Sequence, residues 1–371
     1  MMGVKGLPAT YGGVEKHTEE LSTRLAARKH KVAVYCRSHY SVDGHQYKGV
    51  TLIRIPTIRQ KHVEMITHSL LSSLHFLISD NNVDIIHIQS IDPAIIAFIS
   101  KIKTKVVVTS HGWAYKTHNW NKSILFFSRL AEKNFTIIPN CRIVVSKTLK
   151  KYYESIYPGE YNYIPNGVEI PDLNKYRSIN FELPMKNNIK KSLHLYQDNY
   201  LLCVSRILPN KGLDILVEAW KNVKTDKQLL IVGGSSYEDN YRKFLEKNAD
   251  ERTYFVDYRY GRELKMLYAN AYLTIMPSCV EGMSFTLLES MSFSKCVVYS
   301  NIPENREVVD NCGIPFIVNN SSDLSEKIKL ALSDHQLCFQ LGSRGLGKAK
   351  NEYSWDQVVE KTEKLYNSLY I

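Results

Sequence analysis

Two spacings of apolar residues alternate along the chain. From Val14 to Arg28 they recur at helical intervals, and KVAVYC just beyond is a short apolar run of strand type. VTLIRIP reads as a second strand, HSLLSSLHFLI as a helix, VDIIHIQS as a buried strand, PAIIAFISK as an apolar helix and KVVVTSHG as another strand. CRIVVSKTL and YNYIPNGVEI close this half. A second series starts at NYLLCVSRI and continues through the helix LDILVEAWKNV, the strand QLLIVGG, the strand RTYFVDY, the helix ELKMLYANA and the strand YLTIMPS. TLLESMSF, KCVVYS and a helical C-terminal region complete it. Strands alternating with helices predict parallel, doubly wound sheets, here an α/β fold of two Rossmann-like domains. The first domain is predicted over residues 1–170 and the second over 197–353. Between them lies the polar stretch PDLNKYRSINFELPMKNNIKKS, so 171–196 reads as a linker. Two such domains imply a cleft, with ligands at the carboxyl ends of the strands.

Composition changes this picture little. The chain has 371 residues, 44% hydrophobic and 23% charged, enough for two ordinary cores. No run approaches the roughly 18 apolar residues of a spanning helix, and the N-terminus lacks the pattern of a signal peptide. Seven scattered cysteines without CxxC spacing argue for reduced thiols in a cytoplasmic protein, against a disulfide framework and against a zinc site. Charge is more informative. The formal net is +11, and residues 101–150 hold ten Lys and Arg against one acid, Glu132. Such a surface suits a phosphorylated substrate or anionic lipid. No nucleic-acid-binding motif accompanies the lysines, so nucleic acid is not expected as a partner.

The strongest chemical signal is PSCVEGMSFTLLESMS. Glu281 and Glu289 flank a loop-to-helix transition after a buried strand. Gly282 permits a tight turn, and the backbone N–H groups of Met283, Ser284 and Phe285 open the helix, a start suited to phosphate. Glu289 can turn inward to a ribose diol, while Glu281 stays in the loop beside the sugar. Acids are favoured at helix starts for structural reasons alone, so either Glu by itself would carry little. The pair in this context carries more.

This segment resembles the E-x7-E motif of the retaining, nucleotide-sugar-dependent glycosyltransferases of GT-B fold, family 4. SRILPNKGLDILVEAW is similar to that family's strand-end segment with an Arg and a Lys five residues on, here Arg206 and Lys211. TSHGW resembles its His-Gly turn, and GVKGLPATYGGVE resembles the Gly-rich first loop of polysaccharide-building members, several of which transfer rhamnose or another hexose. NIPENREVV fits too, and YSWDQVVEKTEKLY resembles a final helix, about 354–371, that packs back on the first domain. The resemblance implies a hexosyltransferase with a nucleotide-sugar donor and a saccharide acceptor, lipid-pyrophosphate-linked as in capsule, O-antigen or exopolysaccharide assembly. Neither a cofactor nor a metal is expected. Arg206 and Lys211 would clamp the two phosphates, since fixed cations must then neutralise the leaving diphosphate. His111 would lie near the transferred sugar, and the backbone near Tyr258 and Arg259 against the nucleobase. Trp113, His118 and Trp120 could shape an acceptor pocket or merely pack a loop, and His87 could reach the cleft or sit in the core. A relative that epimerises or hydrolyses the nucleotide sugar, and a non-catalytic nucleotide-sugar-binding protein, are the other readings. The basic N-terminal half would face an anionic inner leaflet, each cation near the surface adding on the order of 1 kcal/mol.

The opening MMGVKGLPATYGGVEKH resembles the family's first loop without the strand that should precede it. Only Met1 and Met2 remain of that strand, which is expected to be truncated, with exposed neighbouring edges. Gly12 and Gly13 open the helix from Val14, where N–H groups could meet a donor phosphate or the acceptor.

Overall fold

The computed structural model describes residues 1–10, 12–41, 44–60, 63–79, 82–113, 122–184, 192–234 and 239–370. They form two compact units, one of residues 1–167 and 355–371 and one of residues 168–354.

The first unit begins with α1 (Gly13–Ala27), β1 (Ala33–Arg37), the short β2 (Gln46–Tyr47), β3 (Val50–Ile55) and α2 (Val63–Ile78). β4 (Ile85–Ile88), α3 (Ala97–Lys101), β5 (Lys105–Ser110), α4 (Lys122–Ile137), β6 (Cys141–Val144), α5 (Lys147–Ile156) and β7 (Asn162–Tyr163) follow. β1 pairs in parallel with β3, and β4 to β7 form a parallel ladder in chain order. Met1 and Met2 lie between these two groups. The Met1 carbonyl accepts from the Tyr35 N–H at 3.0 Å. On the other side Met2 pairs in parallel with Ile88, donating to the His87 carbonyl and accepting from the Gln89 N–H, each at 2.9 Å. The expectation of open strand edges is therefore corrected: these two residues pair with strands on both sides. Burial pushes the Met1 ammonium down to about 5, and it donates to the Ala33 carbonyl at 2.5 Å.

The Gly-rich loop is anchored as well. Glu15 accepts from the Lys5 N–H at 3.3 Å, Glu19 accepts from the Ala9 N–H at 2.6 Å, and Arg37 donates its N–H to the Lys5 carbonyl at 2.7 Å. Leu7 is fully buried between these ties. The loop thus takes its shape from α1 carboxylates, a source of order that the short strand did not suggest.

The second unit opens with β8 (Asn180–Pro184) and β9 (Ser192–Tyr196), an antiparallel ribbon. β10 (Tyr200–Val204), α6 (Leu213–Lys221), β11 (Gln228–Val232), α7 (Asp239–Asn248), β12 (Thr253–Val256), α8 (Gly261–Asn270) and β13 (Leu273–Met276) come next. α9 (Phe285–Ser292), β14 (Cys296–Ser300), α10 (Pro303–Val309), β15 (Ile314–Phe316), α11 (Ser321–Ser333) and α12 (His335–Glu352) complete it. The chain then returns to the first unit as α13 (Trp355–Ser368), whose Val359 packs with Leu21 and Leu25 of α1.

Six strands form one sheet in the order β12–β11–β10–β13–β14–β15, with every pairing parallel. Both faces are covered. Leu201, Cys203, Leu229 and Ile231 belong to one core cluster, while Tyr200, Leu202, Leu230 and Val232 belong to the other. Successive side chains of a strand point to opposite faces, which explains why these strands are apolar throughout rather than alternating. The described residues of the predicted linker, 171–184 and 192–196, belong to the second unit. Leu183, Leu193 and Leu195 of the ribbon are buried in the second cluster beside Tyr200 and Tyr268, so the ribbon is part of this unit's core and not a linker.

Candidate functional site

The chain order in the second sheet reverses beside β10. It runs outward to β12, then returns to place β13 on the other side of β10. Ligands of doubly wound sheets bind outside the carboxyl ends of strands at such a reversal. Two glycines draw the loops there together. Gly233 ends β11 at φ +146°, and a Cβ on it would lie 1.9 Å from the Ser205 carbonyl oxygen; one on Gly212, at φ +64°, would lie 2.3 Å from that of Pro277. No L side chain fits either position.

Arg206 follows β10 and is exposed, its guanidinium making no hydrogen bond or ion pair among the described residues. Lys211 ends the turn Pro209–Lys211 just before α6, and its ammonium donates to Glu281 Oε1 at 2.5 Å, both side chains being largely buried. Two residues assigned separate tasks from the sequence are therefore one ion pair. Glu281 lies in the loop after β13, followed by Gly282, with Met283 and Ser284 buried. Ser284 caps α9, its hydroxyl accepting from the Leu287 N–H at 3.5 Å. Thr286 donates to the Val204 carbonyl at 3.1 Å, tying the start of α9, with Phe285, to the end of β10. Glu289 is half-buried and accepts from the Tyr268 hydroxyl at 2.9 Å. Burial and the Glu289 charge hold that phenol well above its usual range.

Tyr258, after β12, donates its hydroxyl to the Gly234 carbonyl at 2.7 Å, and Ile207 donates its N–H to the same oxygen at 3.0 Å. The structure thus gathers Arg206, Lys211, Glu281, Tyr258 and the α9 start around one set of strand ends. The Arg259 side chain is buried and donates to the Pro184 and Tyr258 carbonyls, leaving its backbone as the candidate contact. Pattern reading missed Asn210, whose Oδ1 is buried without a hydrogen-bond partner among the described residues, and Tyr268. Cys279, two residues before Glu281, donates its Sγ–H to Asn319 Oδ1 at 2.9 Å.

In the first unit His111 follows β5, at a strand end like those above. It contacts Gln89 Oε1 through Nε2 at 3.2 Å, and its ring meets His17 edge-on at 4.7 Å between centroids. His17, on α1, pairs through Nδ1 with Asn166 Oδ1 at 3.0 Å and stands edge-on to Trp355. His87 places both ring nitrogens in 2.6 Å hydrogen bonds, one to the Tyr366 hydroxyl and one to Thr109 Oγ1, a core role rather than an open one. Burial, and secondarily the His17 charge, keep His87 and His111 well below the ordinary imidazole range. Burial pushes His17 down to about 4 despite its bond to Asn166. Three neutral imidazoles thus line this part of the unit at neutral pH. Among the described residues, no group of three His, Cys, Asp or Glu is placed to hold a metal ion.

Gly12 and Gly13 are exposed at the start of α1, and no side chain caps that start. Glu15 stands within 2.8 Å of where a Gly12 Cβ would be, so a carboxyl group borders the site assigned to a phosphate or the acceptor. Trp113 is half-buried, edge-on to Tyr152 at 4.7 Å. His118 and Trp120 lie outside the described residues.

Two family models match the chain in sequence order. The family described as Glycosyltransferase Family 4 matches residues 11–170, and that described as Glycosyl transferases group 1 matches residues 185–347. The chain belongs to the family 4 glycosyltransferases of GT-B fold. This glycosyltransferase is 25% identical over 308 residues to the O-antigen biosynthesis glycosyltransferase WclY of Escherichia coli, covering 77% of this chain and 80% of that protein. It is 27% identical over 201 residues to the N,N'-diacetylbacillosaminyl-diphospho-undecaprenol alpha-1,3-N-acetylgalactosaminyltransferase of Campylobacter jejuni, covering 53% of this chain and 52% of that one. The structure of HepE from Anabaena with UDP and glucose superposes with a TM-score of 0.78 at 16% identity, covering 99% of this chain and 98% of that one.

Proposed function

We propose that this glycosyltransferase moves a hexose from a nucleoside diphosphate sugar to a saccharide carried on a lipid pyrophosphate, in the assembly of a surface polysaccharide. Transfer proceeds with retention at the anomeric carbon and without a metal. The observation that carries the reading is the convergence of Arg206, the Lys211–Glu281 pair and the start of α9 on the strand ends beside β10 and β13. In support, the Anabaena neighbour is described with UDP and glucose, the E. coli relative is named for O-antigen biosynthesis, and the name of the C. jejuni relative contains a diphospho-undecaprenol.

Arg206 and Lys211 meet the charge that develops on the departing diphosphate, and the positive end of the α9 dipole adds to them. Glu281 holds the Lys211 ammonium in position until the phosphates share it. The acceptor hydroxyl attacks the anomeric carbon on the face from which the diphosphate leaves. As the C1–O bond to phosphate breaks, the departing oxygen takes the hydroxyl proton. His111, neutral by burial, serves a sugar hydroxyl as a hydrogen-bond partner and not as a cation.

The test offers UDP-, GDP- and dTDP-hexoses with a lipid-pyrophosphate disaccharide and follows both by mass spectrometry and NMR. The expected result is an acceptor heavier by one hexose with the donor's anomeric configuration, insensitive to chelator. Conversion of the donor alone would make the protein an epimerase or hydrolase. Donor binding without turnover would make it a binding protein.

A further inference from the structure

The α2 helix is built inside out. Its buried residues are His68, Ser69, Ser72, Ser73 and Phe76, four of them polar. Its exposed side chains are Val63, Ile66, Leu70, Leu71, Leu74 and Ile78, all apolar, and the half-buried Thr67 among them turns its hydroxyl to the Val63 carbonyl at 2.9 Å. A helix facing water normally shows the reverse arrangement. α3 packs against α2, the turn before it packs against both α2 and α4, and Phe98 of α3 and Ile102 just past it continue the apolar surface, both exposed. α4 adds Phe126, Phe127, Leu130 and Ile137 on its outer face, with Arg129 and Lys133 exposed among them. Lys103 donates to the Phe76 carbonyl at 3.5 Å near the end of α2, and Lys101 donates to the Ile138 carbonyl at 2.5 Å just past α4. Cations therefore sit at the margins of the apolar area. The acids of these three helices do not reach it: Glu64 pairs with Arg37 at 2.7 Å, and Glu132 is buried.

We propose that the outer faces of α2, α3 and α4 dock on an anionic phospholipid bilayer, the aliphatic and aromatic side chains entering the interface and the lysines and arginine meeting headgroup phosphates. An apolar face with basic residues along it is the pattern of helices that lie in a membrane surface. A second copy of the chain fits less well, because it would bring the same basic margins against each other without acids to answer them. The docking goes beyond the transfer reaction and needs neither donor nor acceptor, so it stands or falls separately.

Full-length protein is floated with vesicles of phosphatidylcholine alone or in an equimolar mixture with phosphatidylglycerol. It should float with the mixture and far less with the neutral lipid. Leu70→Ser, Leu74→Ser, Phe126→Ser and Phe127→Ser combined should lower partitioning by on the order of a hundredfold. Arg129→Gln and Lys133→Gln should each lower it about fivefold on the mixture and leave the neutral vesicles unchanged. Hydrogen exchange of the unaltered protein provides a reading free of mutation, with α2 and α4 amides slowing only when anionic vesicles are present. Equal flotation of all variants, or protection elsewhere in the chain, would overturn the proposal. So would a dimer in sedimentation velocity that the serine variant dissolves while vesicle binding is absent.

Discussion

At the scale of single residues, the Lys211–Glu281 pair governs what substitution can reveal. In the proposed reaction Lys211 meets a diphosphate, for which it must be held against its own flexibility, and a carboxylate 2.5 Å away does this. Lys211→Ala removes the proposed phosphate contact, whereas Glu281→Gln keeps the lysine and releases it. The first should lower kcat by about 10²–10³-fold, the range for loss of one aimed donor to a developing charge. The second should act more on donor KM, and steady-state kinetics of the two separates the roles. Arg206→Lys keeps the charge but loses the two-pronged geometry, so it should rescue little of the Arg206→Ala loss. Gly233→Ala must move the Ser205 carbonyl and should lower unfolding free energy by about 3 kcal/mol in denaturant titration. Glu281, Glu289, Arg206 and Lys211 could be singled out as candidates because their motifs are local, and the structure places Arg206 and the Lys211–Glu281 pair at neighbouring strand ends. His17 was not: its partners Asn166, His111 and Trp355 come from distant parts of the chain, and nothing near it in sequence announces them.

Among elements, the misread ribbon is instructive. Phe181 and Leu183, then Leu193 and Leu195, alternate with polar residues at strand period, but each run is short and set in a polar stretch. Composition outweighed periodicity, and the core beneath them was invisible until β10 and α8 were placed. Leu193→Ala should lower the stability of the second unit by about 2–3 kcal/mol, where the same change in a true linker would be neutral. Calorimetry distinguishes the two. Ser284→Ala, which removes the α9 cap, should cost about 1 kcal/mol and weaken donor binding with it. The doubly wound sheet was legible for the opposite reason, since long apolar strands alternating with helices permit few other arrangements.

For the whole molecule, the two units differ in how they answer pH. The buried histidines His17, His68 and His87 and the half-buried His111 all belong to the first unit, where desolvation holds each imidazole below its ordinary value. The unfolded chain then binds protons that the folded one refuses. The stability contributed by each is complete above the unfolded value near 6.5 and is lost as pH falls toward the folded one, about 4 for His17. Buried Glu15, Asp92 and Glu132, held above the carboxylate range mainly by burial, act in the opposite direction, so the wild-type curve is a sum. His17→Gln isolates one component. Its unfolding free energy should fall less steeply than wild type between pH 6.5 and 4, by up to about 1.4 kcal/mol per pH unit. An unchanged slope in paired denaturant titrations would show that His17 titrates normally.

The path of the chain has a consequence for biosynthesis. It leaves the first unit at Gly167, builds all of the second, and returns at Trp355. Trp355 lies against Gly167 and His17, and Val359 covers Leu21 and Leu25. On the ribosome the unit begun first is therefore finished last. Until α13 emerges, Leu21 and Leu25 of α1 lack the cover of Val359 while the second unit can already be complete, and transiently exposed apolar surface of this kind favours aggregation.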